Sequence, residues 1–185
     1  MLMDRYLDHW DVRSRHETVV HASAGETYQA VRELDMGRSL PAMALFAIRA
    51  VPHLLTGKAR PRRSLTLDTF LEAGFMILAE EPGRELVLGA VGRFWRLDSG
   101  IERIAPEEFQ AFDRPGFAKA ALSFTLEEQG PASTALATET RVLCTDPAAR
   151  QRFLLYWRLI GPFSGAIRRL MLGKAKRAAE APVQR

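Results

Sequence analysis

A capped helix with one broad apolar stripe, near the end of the chain, constrains the fold more than any other feature of the sequence. Asp146 is a suitable N-cap, and Pro147 occupies the first helical position, where its missing N–H loses no hydrogen bond. Gly161 and Pro162 are expected to bend this helix midway. The residues that recur on one side are Phe153, Trp157, Ile160, Ser164, Ile167 and Met171, widened by Tyr156, Phe163 and Leu170. The sequence therefore predicts a long amphipathic helix that closes the chain.

Two segments before that helix alternate between apolar and other residues, which is typical of β-strands. They span residues 120–126 and 134–144, with a turn expected at 129–132. If Leu126 lies near Leu136, one face carries the polar set Lys119, Ser123, Glu139 and Arg141. We interpret that face as a solvated outer surface with cross-strand ion pairs. The alternative places these charges inside a cavity as a polar anchor.

The first third of the chain predicts a strand followed by a helix. Residues 12–22 are rich in Val and Thr and alternate loosely, which favours a strand. Ser23 and Glu26 then form the pattern of a capping box, so a helix is expected to begin here and to reach about Asp35.

The middle of the chain predicts a short helix and a hairpin. Residues 66–73 indicate a single helical turn or little more. Residues 75–81 and 84–96 are almost continuously apolar and are joined through Pro82-Gly83, which predicts two antiparallel strands. Such apolar strands have both faces covered, or one face lining a cavity.

An apolar stretch at residues 40–55 is followed at once by the basic run 58–63. A core helix, a membrane anchor and a lid over an apolar pocket are the three explanations. Sixteen residues that include Arg49 and Pro52 fall short of the ~20 apolar residues that a spanning helix needs. We therefore predict a second helix that closes one end of a cavity, with the basic run in an exposed loop.

Composition and rare residues exclude several classes of protein. At 185 residues, with 47 % hydrophobic and 26 % charged residues, the chain predicts one ordinary globular domain. The single cysteine, Cys144, excludes an internal disulfide and is interpreted as a buried structural thiol. The four histidines lack metal-ligand spacing, so no metal is expected. No glycine-rich phosphate loop follows a predicted strand, and no other cofactor is expected. The first ten residues do not resemble a signal peptide, which predicts a cytoplasmic protein.

The order of the predicted elements is that of an α+β fold. It resembles the helix-grip fold of the START / Bet v 1-like superfamily, which includes polyketide cyclase/dehydrase-like (SRPBCC) proteins. The resemblance rests on the capped helix 21–34, the sheet within 75–144 and the closing helix 146–170. It implies a curved antiparallel sheet wrapped around a long C-terminal helix, with two helices after the first strand. Residues 1–185 would form one domain, with its core at about 12–178.

The resemblance also implies a ligand cavity between the sheet and the closing helix. Its expected lining residues are Phe75, Ile77, Leu86, Leu88, Phe94, Trp95, Phe124, Thr138, Thr140, Tyr156, Trp157 and Ile160. A mostly apolar lining with a few hydroxyl groups is typical of a small-molecule site.

Three functions remain open from the sequence. The first is a module that binds a hydrophobic small molecule or lipid. The second is a cyclase/dehydratase-like enzyme, for which Tyr156, Glu139 and Arg93 are the acid–base residues to test, although no catalytic motif marks them. The third is a peripheral protein that contacts anionic membranes through the basic run 58–63 and the basic residues of 168–177, with residues 40–55 lying in the membrane interface. No motif indicates nucleic-acid binding.

Overall fold

The computed structural model describes residues 1–35, 66–96 and 100–181. The strands are β1 (Val12–Val20), β2 (Met76–Glu81), β3 (Glu85–Gly92), β4 (Ile101–Glu102), β5 (Ala118–Gly130) and β6 (Ser133–Cys144). The α-helices are α1 (Ala24–Arg32), α2 (Leu67–Glu72) and α3 (Pro147–Ala179), and short 3-10 helices span Leu2–Arg5 and Pro106–Glu108. The apolar stretch 40–55 and the basic run 58–63, with the predicted second helix and loop, lie outside the described residues.

Six strands form one antiparallel sheet in the order β1-β6-β5-β3-β2, with β4 paired to β3. In the β5–β6 hairpin Leu126 pairs with Leu136, which confirms the predicted register. The terminal strand β1 pairs with β6 along its whole length, so that Ser14 faces Thr140 and His16 faces Thr138. Because side chains alternate between faces, this register brings four polar side chains together on one side of the sheet.

The helix boundaries follow their local signals. Ser23 and Glu26 form the predicted capping box, and α1 ends at Arg32, before Asp35, the predicted end of the helix. The Asp146 carboxylate accepts a hydrogen bond from the Ala149 N–H at 2.9 Å, so it caps α3 as predicted. Pro162 lies inside α3, which continues through it to Ala179.

Helix α3 lies across one side of the sheet, which we call the inner face. Its second half packs into the leucine cluster, a group of buried residues that comprises Leu86, Leu88, Leu126, Leu136, Leu172, Val20, Ala22, Val31, Phe124, Met171 and Ala175. Its first half packs into the aromatic cluster, in which Phe153 is buried with Val12, Ala118 and Val142 and is flanked by Phe94, Trp95, Tyr156 and Trp157. Helix and sheet therefore meet through two separate apolar clusters.

The opposite, outer face of the sheet is covered by the first residues of the chain. Met3 and Leu7 are buried there with Phe109 and Phe117 in a third apolar cluster. The Glu85 carboxylate accepts hydrogen bonds from the backbone N–H groups of Leu2 and Met3, at 2.7 and 3.2 Å. Residues Leu2–Leu7 are thus held against the sheet by both packing and hydrogen bonds.

The prediction that the charged outer face is solvated is therefore wrong. Lys119, Ser123, Glu139 and Arg141 do share one face, as the register predicts, but each is buried. The covering segment at the chain start removes them from water, and buried charges then require partners. Arg13 and Arg141 both donate to the Glu139 carboxylate, and Lys119 donates to the Gln110 carbonyl oxygen at 2.9 Å.

The predicted strand 84–96 is also shorter than expected, because β3 ends at Gly92. A side chain at Gly92 would lie 3.0 Å from the Gly100 carbonyl oxygen, so only glycine allows β4 to approach this closely. The chain then turns, with the Arg96 N–H donating to the Arg93 carbonyl oxygen at 2.8 Å. Phe94 and Trp95 consequently lie in a turn, from which they reach the aromatic cluster.

Candidate functional site

The sheet and α3 enclose a short polar stretch between the two apolar clusters. It consists of Ser14, His16, Thr138 and Thr140, which we call the polar gap. The gap lies on the inner face, where β1 and β6 pair. Thr138 is fully buried and Thr140 is 6 % exposed. Neither hydroxyl group has a hydrogen-bond partner among the described residues.

Helix α3 contacts the polar gap at Gly165, where the absence of a side chain lets His16 lie close to the helix backbone. A side chain at Gly165 would lie 3.3 Å from His16 Nε2, so the imidazole ring lies against the bare helix backbone. Burial lowers the pKa of His16, and the positive charges of Arg169 and Arg168 lower it further. The imidazole is therefore neutral at pH 7, with one nitrogen that can donate a hydrogen bond and one that can accept.

The aromatic cluster forms one wall beside the gap. The rings of Phe153 and Trp157 are stacked with their centroids 5.8 Å apart, and Tyr156 lies 5.9 Å from Phe153. A side chain at Gly161 would come within 3.0 Å of Trp157 Nε1, so this glycine lets the indole lie along its own helix. The resulting wall is flat and only half-buried at Tyr156 and Trp157.

Most of the predicted lining residues flank the polar gap on its two sides. Leu86, Leu88 and Phe124 lie in the leucine cluster, with Ile77 packed against it. Phe94, Trp95, Tyr156 and Trp157 lie in or around the aromatic cluster, whereas Thr138, Thr140 and the buried Ile160 lie outside both clusters. Phe75 packs separately, edge-on against Phe70 of α2 at 5.4 Å.

Three residues of this region are absent from the predicted lining, namely Ser14, His16 and Arg168. Ser14 and His16 alternate with exposed residues in β1, but their position opposite Thr140 and Thr138 requires the β1–β6 register. That pairing joins the two ends of the chain and leaves no local signal. Arg168 was detectable as a charged residue inside the apolar stripe of α3, next to Ile167.

The acid–base residues proposed from the sequence do not converge on the polar gap. Glu139 lies on the outer face, where burial raises its pKa but hydrogen bonds from Arg13 and Arg141 outweigh this and keep it below the usual value. The Arg93 guanidinium stacks on the Phe117 ring at 4.4 Å and lines a surface cavity of about 400 Å³ with Trp95 and Arg152. Of the three, only Tyr156 belongs to α3, where it packs against the aromatic cluster.

Cys144 is a free cysteine that is only half-buried, whereas the sequence predicts a buried one. Burial, with the nearby Asp11 carboxylate, raises its pKa to about 12, so the thiolate needed for nucleophilic chemistry is scarce at pH 7. No set of three or more His, Cys, Asp or Glu side chains within residues 1–35, 66–96 and 100–181 is arranged to hold a metal ion. The same residues contain no helix with the length and apolarity required to cross a bilayer.

The unpaired hydroxyl groups give a testable effect on stability. We expect Thr138→Val to raise the free energy of unfolding by about 1 kcal/mol, because valine has the same shape and removes a buried hydroxyl without a partner. Thr134→Val is the matched control on β6, since the Thr134 hydroxyl donates to the Ala22 carbonyl oxygen at 2.8 Å. The control should instead lower the free energy of unfolding. Urea denaturation of both variants measures the difference, and equal losses would contradict the unpaired state of Thr138.

No family model and no curated protein matches the chain. Solved structures with similar topology include the hypothetical protein jhp0584 from Helicobacter pylori, at 10 % identity over 96 % of this chain and 94 % of the other, with a TM-score of 0.43. The Zhui aromatase/cyclase from Streptomyces sp. R1128 has 13 % identity, coverage of 93 % and 98 %, and a TM-score of 0.33. The di-domain ARO/CYC BexL from the BE-7585A biosynthetic pathway has 14 % identity, coverage of 94 % and 48 %, and a TM-score of 0.35.

The architecture of the chain itself carries the fold assignment. A first strand enters a capped helix, a curved antiparallel sheet follows, and the 33-residue α3 closes the chain against the inner face of that sheet. This order and topology confirm the predicted α+β class. The chain has the helix-grip fold.

Proposed function

We propose that the protein binds a hydrophobic small molecule or lipid between the inner face of the sheet and α3, at the polar gap. The observation that supports this most directly is the pair of buried, unpartnered hydroxyl groups of Thr138 and Thr140 between two apolar clusters. Buried polar groups in folded proteins almost always have partners, and an exception is often found where a ligand binds. The predicted lining residues remain the proposed contact surface.

The chemistry of the region favours binding over catalysis. A small-molecule site usually combines an apolar lining with a few polar groups that orient the ligand. Here the leucine and aromatic clusters would contact the apolar body, and the hydroxyl groups of Thr138 and Thr140 would orient it. Glu139, the carboxylate considered as a catalytic base, is bonded to two arginines on the other face of the sheet. A cytoplasmic location remains a prediction from the sequence.

Binding can be measured with the methyl ester of cis-parinaric acid, a neutral fluorescent lipid whose emission rises in apolar surroundings. We expect the full chain to bind it and Trp157→Ala to weaken the affinity by more than about tenfold, since a large aromatic contact is lost. Leu159→Ala is the matched control, because Leu159 is on the same helix and is 69 % exposed. Absence of any emission change with the unmodified protein would contradict the proposed function. Unchanged binding by Trp157→Ala would show that the ligand does not contact the aromatic cluster.

A further inference from the structure

Arg168 is a positively charged side chain in the interface between α3 and the sheet. It lies three residues after Gly165, on the side of the helix that faces the polar gap. Part of the side chain reaches the surface, but its Nε and Nη1 atoms are buried and have no hydrogen-bond partner among the described residues. Burial lowers its pKa to about 10, which still leaves the guanidinium protonated at neutral pH.

The other buried charged side chains of the described sheet have partners. Arg141 donates to the Glu139 carboxylate at 2.7 Å and to Asp4 at 2.6 Å, and the buried Glu85 accepts two backbone N–H groups. Lys119 donates a hydrogen bond to the Gln110 carbonyl oxygen. Arg93 Nε also has no hydrogen-bond partner among the described residues, but its guanidinium stacks on the Phe117 ring at 4.4 Å. A buried charge without a partner is costly, so the position of Arg168 requires a reason.

No carboxylate is positioned to neutralise Arg168 within the described part of the chain. The side chains of the gap that face α3 are neutral, namely Ser14, His16, Thr138 and Thr140, and the adjacent Arg169 is a second positive charge. The amino-acid sequence of residues 36–65 contains no Asp or Glu at all, so that segment cannot supply a counter-ion whatever its position. Of the residues outside the described ranges only Asp98 has an acidic side chain, and the alternative counter-ion for Arg168 is an anion from another molecule.

We infer that the ligand is an amphiphile with a carboxylate head group, which binds the Arg168 guanidinium beside the hydroxyl groups of Thr138 and Thr140. This inference rests on the proposed function, because it concerns the same site. One guanidinium matches one singly charged carboxylate, and its planar N–H groups suit two parallel hydrogen bonds to the two oxygens. The two hydroxyl groups can donate the remaining hydrogen bonds. The leucine and aromatic clusters lie on either side to receive the apolar tail.

The test compares cis-parinaric acid with its methyl ester, which has the same tail but no charge, by fluorescence titration of the full chain at pH 8. We expect the acid to bind about tenfold more tightly or better, since hydrogen bonds to a charged group are stronger than those to a neutral one. Arg168→Gln should abolish the preference. Arg169→Gln is the matched control, because it removes the same charge from the neighbouring position and should keep the preference.

The outcomes separate this inference from the proposed function. If neither probe binds, the proposed function fails. If the ester binds and the acid binds no more tightly, the site remains and the carboxylate specificity is overturned. A loss of preference in Arg169→Gln as large as in Arg168→Gln would also overturn it, because the effect would then reflect net charge. Thermal unfolding of Arg168→Gln should show no loss of stability, since the replaced charge has no partner to lose.

Discussion

Replacing Glu139 with glutamine is expected to lower the free energy of unfolding by about 3 kcal/mol, because it removes a buried carboxylate and leaves the half-exposed Asp4 as the remaining carboxylate partner of Arg141. Glu139 and Arg141 are 1 % and 4 % exposed at their side chains, and their Oε1 and Nε atoms are 2.7 Å apart. Arg13 adds two more hydrogen bonds to the same carboxylate, at 2.8 and 2.9 Å. The charge cannot move to water without displacing the covering segment Leu2–Leu7. Urea denaturation followed by circular dichroism measures the loss.

The matched control for this change is Glu17→Gln on β1. Glu17 is 70 % exposed at its side chain and pairs with Arg15, so its replacement should alter the free energy of unfolding by less than about 1 kcal/mol. The pH dependence provides a second measurement. Because the folded pKa of Glu139 lies below its usual value of 4.5, its stabilisation is present above pH 4.5 and is lost as the pH falls through the folded pKa. Glu139→Gln should lack this acid-dependent loss, and an unchanged pH profile would contradict the assignment.

Replacing Phe153 with alanine is expected to lower the free energy of unfolding by about 3–5 kcal/mol, the range for a large aromatic side chain lost from a packed core. Phe153 is 2 % exposed and its ring contacts Phe94, Tyr156 and Trp157. Without it, the first half of α3 loses the centre of its contact with the sheet. Chemical denaturation again measures the loss.

Leu155→Ala tests whether that loss is specific to the buried ring. Leu155 is two positions away on the same helix and is 71 % exposed, so its replacement should stay within about 0.5 kcal/mol of the unmodified protein. A loss below about 1.5 kcal/mol in Phe153→Ala would mean that the neighbouring rings close the cavity by repacking.

Elements with strong local signals could be predicted from the sequence, and elements that depend on distant pairing could not. The Ser23–Glu26 capping box, the Asp146 cap and the Leu126–Leu136 register each depend on residues close together in the chain. The polar gap depends on β1 pairing with β6, more than 120 residues away. The sequence does place Thr138 and Thr140 of β6 in the expected lining, but nothing in β1 alone indicates which of its two faces will meet α3.

The prediction that the outer face is exposed to solvent was wrong for a related reason. Alternation places Glu139 and Arg141 on one face, and a strand face that carries charged residues is usually exposed to solvent. The covering segment Leu2–Leu7 reverses that rule, because Met3 and Leu7 bring apolar surface across the charged strip. A sequence pattern reports which residues share a face, but the contact that covers the face comes from another part of the chain.

Pro162 cannot donate the backbone hydrogen bond that a helix would otherwise make to the Arg158 carbonyl oxygen. Flexing α3 at this residue therefore has one main-chain hydrogen bond fewer to strain than flexing elsewhere, a difference of about 0.5–1.5 kcal/mol net. The weak point lies between Phe153, which anchors the first half, and Leu172, which anchors the second. Hinge motions of this kind occur in microseconds to milliseconds. Bending at Pro162 is therefore the least costly way to change how closely the middle of α3 lies to the polar gap while Phe153 and Leu172 stay packed against the sheet.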